Sequence, residues 1–282
     1  MADKSCGLAA MLKLIPIGAV VLLAQGCASS SATKTHAVSP GGLAGPKHYV
    51  CHRAVHAVVV DGKLDEPAWR YAPWTDFFVD IEGEARPKPR LATRAKMLWD
   101  DEYFYIAAEL EEPHVWGTLR EHDQIVFHDN DFEVFIDPDG DTREYYEIEI
   151  NALGTIFDLF LERTYLDGGP AHHEWDLKGL KAAVSVDGTL NDPADLDRGW
   201  SLELALPWRS LAEYANRPAP PRDGDVWRVN FSRVEWRHRT IDGRYEKVPD
   251  TREDNWVWSP QGQINMHVPE HWGYVRFSNG AD

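Results

Sequence analysis

The sequence predicts an all-β chain: an antiparallel β-sandwich, jelly-roll-like, with one or two short helices. Three observations carry this. Short runs alternate apolar and polar residues, turn-forming residues separate the runs, and helical periodicity is scarce. A length of 282 residues suits one large domain whose core needs no staples. Three Cys, none in a CxxC spacing, exclude a disulfide framework, a zinc ribbon and a c-type haem site. Lys and Arg total 29 against 46 Asp and Glu, a net charge of −17. Nucleic acid is therefore excluded as a partner, and so is anionic lipid held by a basic patch, because no cationic excess exists to meet phosphates.

The first element is an address. Lys13 precedes an apolar run from Leu14 to Ala24, eleven residues, too short to span a bilayer but suited to the core of a signal sequence. The run ends Ala24-Gln25-Gly26-Cys27, which is similar to a bacterial lipobox. Residues 1–26 thus read as a lipoprotein signal peptide and Cys27 as its lipidation site. Residues 27–47, small, polar and bearing Gly and Pro, read as a flexible tether. Residues 48–282 read as the sandwich. The expected location is the cell envelope, with the membrane reached through lipid, and Met11 is a second candidate start. Cys51 is read as a small apolar residue.

The strands follow in order. Leu64 to Tyr71 suggests a short helical turn. Thr93–Trp99 and Tyr103–Leu110 flank Asp100-Asp101-Glu102, a hairpin signature. Phe132, Val134 and Ile136 alternate with Glu133 and Phe135. Tyr146, Ile148 and Ile150 alternate with Glu147, Glu149 and Asn151. Asp137-Pro-Asp-Gly-Asp141 lies between these runs as a turn. Trp200, Leu202, Leu204 and Leu206 mark another strand, and Trp227, Val229 and Phe231 a further one. Pro207–Tyr214 is the best helix, with Pro in its first turn. Trp69, Trp99, Trp200, Trp208 and Trp227 sit in regular patterns and are read as core.

Several segments in order carry a resemblance: Val60-Asp-Gly-Lys-Leu-Asp-Glu-Pro-Ala-Trp69, Leu98-Trp-Asp-Asp-Glu-Tyr-Phe-Tyr105, Asp129-Asn-Asp-Phe-Glu-Val-Phe-Ile-Asp137, Gly199-Trp-Ser-Leu-Glu-Leu-Ala-Leu-Pro-Trp208 and Val268-Pro-Glu-His-Trp-Gly-Tyr274. Across residues 56–278 the chain resembles family 9 carbohydrate-binding modules. The resemblance implies a β-sandwich that binds sugar without catalysis, as a module beside polysaccharide-degrading enzymes or in an exported protein. It implies oligo- or polysaccharide as partner and a structural calcium ion. In the family two Trp clamp a terminal sugar. Phe127 or His128 stands at the first of those positions here, and Met266 or His267 at the second. Glu133 matches the family's acidic residue, Asn151 a polar position on the next strand, and an Arg that holds sugar hydroxyls falls near Glu149.

These readings give the candidate sites. Glu133 and Asn151 share a strand face opposite the core and offer groups for sugar hydroxyls. Arg233 ends a strand and is expected to pair with Glu133 across the sheet. Trp256 and Trp258, two apart, point the same way and form a candidate sugar platform, with Trp116 as a second plate. Glu147 and Glu149 are read as a solvated face. Asp137, Asp139 and Asp141 offer three carboxylates in a turn, a candidate calcium site without the EF-hand pattern. No catalytic residue is assigned. The Asp131/Glu133 pair is the only glycosidase-like feature, and it lies on one strand rather than across a cleft. Haem binding through Met266 and His267 is the remaining alternative.

Overall fold

The computed structural model describes residues 45–83 and 85–280. The signal segment, Cys27 and the tether as far as residue 44 lie outside the described residues. Fifteen strands follow in chain order: β1 (His48–Arg53), β2 (Val79–Asp80), β3 (Thr93–Trp99), β4 (Tyr103–Glu111), β5 (Asp131–Asp137), β6 (Tyr145–Asn151), β7 (Ile156–Leu161), β8 (Ala171–His172), β9 (Lys181–Asp187), β10 (Gly199–Pro207), β11 (Val226–Glu235), β12 (His238–Ile241), β13 (Arg244–Lys247), β14 (Asp254–Val257) and β15 (Gly273–Ser278). Two short helices, α1 (Pro67–Tyr71) and α2 (Trp208–Leu211), fall where helical turns were expected.

Thirteen of these strands form one curled sheet along the path β8-β7-β6-β5-β11-β15-β1-β3-β4-β10-β9, with β14 beside β11 and β2 beside β14, while β12 and β13 pair separately as a two-stranded hairpin. Its two halves fold over one core and make the sandwich. All pairings in it are antiparallel except those of β1, which runs parallel to both β15 and β3. The expectation of a purely antiparallel sheet is corrected there. A parallel neighbour needs a long crossover, and residues 54–92, carrying α1 and β2, supply it between β1 and β3.

Alternation places the core as expected. Phe132, Val134 and Ile136 of β5, Tyr146, Ile148 and Ile150 of β6, and Trp227, Val229 and Phe231 of β11 face Met97, Ile106, Leu202 and Leu204 of the other half. Aromatic rings fill the end near α2. Phe104 stacks on Trp208 at 5.7 Å, and Trp208 meets Trp227 edge-on at 5.5 Å. A second apolar cluster lies on the outer side of the β5–β6–β7 half: Phe135, Tyr145, Phe157, Leu159 and Leu161, covered by Ile81, Val126, Met266 and Trp272. That cover makes the outer face of this half a built surface rather than a solvated one.

Candidate functional site

The register across β11, β5, β6 and β7 places polar residues in rows on this outer face. Ser232, Glu133, Glu149 and Phe157 lie side by side. Phe135, Glu147 and Leu159 make the next row, and Val234, Asp131 and Asn151 the row on the other side. Glu133 therefore sits opposite Glu149, like charge against like charge, which a sheet ordinarily avoids.

Loops wall these rows into a cleft of about 310 Å³, lined among others by Phe127, Glu133, Glu147, Glu149, Tyr165 and His267. Phe127 stands beside Glu149. Its backbone N–H donates to Glu149 Oε2 at 2.8 Å, and its carbonyl accepts from Trp236 Nε1 at 2.8 Å. His267 and Tyr165 stand beside Glu147. Their rings meet edge-on at 4.6 Å, and His267 Nε2 lies 3.9 Å from a Glu147 oxygen. The Phe127 and Tyr165 rings keep 37% and 49% of their surface exposed, so both offer apolar area to a ligand.

The electrostatics are unusual for a sheet face. Glu133 is 6% exposed, and burial pushes its carboxyl up to about 7. Burial, with Glu133 as neighbour, also raises Glu147, Glu149 and Asp131 well above the ordinary carboxylate range. The solvated-face reading of Glu147 and Glu149 is thus corrected: the second apolar cluster closes over them. Burial lowers His267 to about 4, so its imidazole is neutral near pH 7 and balances no carboxylate. Met266 and His267 both line the cleft because they sit in an irregular segment, not an extended strand. His267 Nδ1 lies 2.9 Å from the Tyr145 hydroxyl, so the ring is committed to protein partners.

The other predicted site residues lie elsewhere. Arg233 has the opposite parity from Glu133 and points to the inner side, because Ser232, not Arg233, pairs with Glu133. There it donates to Glu112, Glu235, Thr93 and the Glu111 carbonyl. Arg90 Nη2 also reaches Glu235, at 3.2 Å, so among the described residues Glu112 depends on Arg233 alone. Burial and Glu235 together hold Glu112 at about 9. Trp256 and Trp258 do point the same way, but into the core, at 4% and 1% exposure. Trp116 is buried as well, packed toward Tyr245. None of the three indoles is an open sugar plate. Asn151 is a fastener: its Nδ2 donates to the Leu119 carbonyl and to Asp129, and its Oδ1 accepts from the Leu153 and Thr155 amides. Asp137, Asp139 and Asp141 do converge, one oxygen of each lying within 4.8 Å of the others. Asp137 also accepts from the Gly140 and Thr142 amides, which folds the turn.

Sequence reasoning passed over Glu203. Its Oε2 accepts from the Asp61 and Gly62 amides at 2.8 Å, and its Oε1 from Trp69 Nε1 at 2.6 Å. Gly62 has φ +87°, and a Cβ there would meet the Val184 backbone at 2.6 Å. The opening motif that carries the resemblance is therefore a clamp between the crossover and β10.

Residues 60–219 match the family model described as carbohydrate family 9 binding domain-like. Among curated proteins, exoglucanase XynX of Acetivibrio thermocellus is 26% identical over 153 residues, and endo-1,4-beta-xylanase A of Thermoanaerobacterium saccharolyticum is 27% identical over the same length. Each match covers 54% of this chain but only 12% and 11% of those enzymes. Among solved structures, a family 9 module of Caldicellulosiruptor kristjanssonii in complex with cellotriose has TM-score 0.54 at 14% identity, covering 84% of this chain and 96% of that one. A Bacteroides uniformis protein proposed to bind carbohydrate has TM-score 0.59 at 17% identity, covering 83% of this chain and 100% of that one. These structures share the sandwich, and the family model spans more than half of the sequence: the chain belongs to the carbohydrate family 9 binding domain-like proteins.

Proposed function

We propose that this protein binds a carbohydrate, without turning it over, in the cleft on the outer face of β5, β6 and β7. The observation that carries the reading is the convergence of the Glu133, Glu147 and Glu149 carboxyls with the exposed Phe127 and Tyr165 rings. Sugars present paired hydroxyls and an apolar C–H face, and such a cleft answers both. A carboxyl suits hydroxyls whether charged or protonated, since it accepts in one state and can also donate in the other. The positions taken by the clamp Trp in the family fall here on Phe127 or His128 and on Met266 or His267, of which Phe127, Met266 and His267 line the cleft. The Caldicellulosiruptor modules of like fold were solved with cellotriose and with glucose, which makes β-linked glucan ends the first ligands to try. Titration calorimetry with glucose, cello- and xylo-oligosaccharides is expected to give saturable heat with no growth of reducing ends. Absence of heat with every glycan, or steady release of reducing ends, overturns the reading.

Two further parts belong to this proposal. Lipid on Cys27 anchors the domain in the cell envelope, where it supports capture or breakdown of polysaccharide. Intact mass of the membrane fraction is expected to show the acyl chains, and Cys27→Ala to release the protein; an unlipidated wild type refutes the anchor. Calcium held by Asp137, Asp139 and Asp141 stiffens the β5–β6 turn, a donor set of hard oxygens that suits that ion.

A further inference from the structure

We infer that the floor of the cleft is a divalent-cation site with Asp131, Glu133 and Glu149 as ligands, and that calcium is the ion it fits. The inference shares its place with the sugar-binding reading but does not depend on it. One carboxylate oxygen from each of the three residues lies within 4.8 Å of the others. All three side chains are buried, at 0%, 6% and 2% exposure. Glu133 lies opposite Glu149, and Asp131 is two residues along β5 on the same face.

A second observation points to a missing partner. Among the described residues, Asp131 Oδ2 is buried with no hydrogen-bond donor, and Oδ1 receives only a long 3.3 Å bond from the Val234 amide. Two other buried carboxylates, Asp129 and Glu203, are treated differently. Asp129 collects the Thr118 and Leu119 amides, the Thr118 hydroxyl and Asn151 Nδ2. Glu203 collects three donors. A buried carboxylate without donors or cation is costly, so the floor calls for a charge from outside the chain.

The surroundings do not supply one. Glu147 and Glu253 add negative charge to this face. Lys247 feels Asp131 and Glu253, but among the described residues its ammonium makes no ion pair or hydrogen bond with the floor, and it stacks over Trp236 at 3.9 Å. Arg233 is spent on the inner side with Glu112 and Glu235. His267 is bonded to Tyr145. The donor set is all carboxylate, the preference of a hard cation, with no imidazole or thiolate to favour a transition metal. Calcium binds oxygens at roughly 2.3–2.6 Å, so ligands on opposite sides of one ion stand up to about 5 Å apart, which this set allows. Magnesium dehydrates reluctantly and usually keeps several waters, which a buried set of three carboxylates does not suit. Three protein ligands leave calcium short of its usual coordination. The remaining positions face the cleft, where hydroxyl oxygens of a neutral ligand are suitable donors.

The test uses the whole protein, stripped with chelator and titrated with calcium chloride in sugar-free buffer. A variant carrying Asp139→Asn and Asp141→Asn removes the turn cluster from the measurement. It is expected to keep a saturable calcium heat and a calcium-dependent rise in Tm, as a ligand bound only by the folded state must give. Adding Asp131→Asn and Glu149→Gln is expected to weaken that binding at least tenfold and abolish the Tm rise. In chelator the same variant should melt no lower than its parent, because buried like charges have been removed. Should it fail to fold, Glu133→Gln alone gives the same reading. Calcium binding unchanged by the floor substitutions, or absent once the turn cluster is gone, overturns the site. So does glucosamine that binds in chelator while calcium does not, since a cationic sugar would then supply the charge. Glucose and cellobiose titrated with and without calcium separate the two readings. Sugar binding without calcium heat removes only the cation site, and calcium heat without any sugar binding removes only the sugar reading.

Discussion

Trp258 and Phe127 are aromatic residues on opposite sides of the same half-sandwich, and their side decides what each does. Trp258 lies inside, edge-on to Tyr49 at 6.4 Å and tilted against Phe231 at 5.8 Å. A Cβ on Gly273 would stand 2.4 Å from its ring, so the indole fills the last space beside β15. Trp258→Ala is expected to cost about 3–5 kcal/mol of stability, read as a fall in urea midpoint, because the hole cannot collapse. Phe127→Ala is expected to leave the urea midpoint within about 0.5 kcal/mol, since the ring is exposed and its backbone bonds to Glu149 and Trp236 survive. It should weaken sugar binding several-fold; a Phe127→Ala protein that binds as well as wild type places the sugar elsewhere. The two-residue spacing of Trp256 and Trp258 did announce that they co-face. Period two gives parity but not which face is inside. The pairing of Arg233 with Trp256 and Ser232 with Val257 settles it, and that register is a property of the sheet, not of the spacing. The same limit misplaced Arg233, whose neighbour Ser232 faces Glu133.

At the scale of elements, the crossover between β1 and β3 hangs on one carboxylate. Glu203 of β10 reaches the Asp61 and Gly62 amides and Trp69 of α1, and burial lifts it to about 7 despite those three donors. Trp69 in turn packs with Leu98, Tyr105 and Ala107 on the outer face of β3 and β4. Glu203→Ala orphans three donors at once, each worth roughly 1–3 kcal/mol when left buried and unpaired. The expected result is a Tm lowered by many degrees and fast proteolysis between residues 54 and 92. Trp69→Phe, which orphans nothing but one carboxylate oxygen, should cost much less. An equal loss for both would show that ring volume, not the clamp, holds the crossover. Hairpins β3–β4 and β5–β6 were readable because short acidic turns, Asp100-Asp101-Glu102 and the Gly-bearing Asp137–Asp141, join sequential strands. The parallel seating of β1 was not, because its partners lie 46 and 226 residues away and no local pattern records them. The covered outer face was hidden for a related reason. Its lid residues Ile81, Val126, Met266 and Trp272 come from four separate segments, so Glu147 and Glu149 looked solvated when strands were read singly.

For the molecule as a whole, buried acids dominate the response to pH. Glu133, Asp137 and Glu203 are held up to about 7 and Glu112 to about 9, with Asp131, Glu147 and Glu149 raised further by burial and by one another. In the unfolded chain these groups return to roughly 4. Between about pH 4.5 and 7 the folded state therefore binds more protons than the unfolded one, so this share of the stability is complete at the acid end and is lost as pH rises through the folded values. His267 works in the other direction. It is lowered to about 4, so its contribution is complete above about 6.5 and is lost as pH falls toward 4. His238 is lowered too, yet the raised carboxyls, Asp158 among them, outnumber these two imidazoles, and the net charge of −17 adds self-repulsion on the alkaline side. In chelator, Tm is expected to be higher at pH 5 than at pH 8, and Glu133→Gln is expected to flatten part of that fall. A cation on the floor acts against the trend, because it competes with protons for the same oxygens. Calcium should therefore raise Tm little at pH 5 and most at pH 8. A chelated protein that gains stability from pH 5 to 8 would show that the buried acids are paired in a way this packing does not provide.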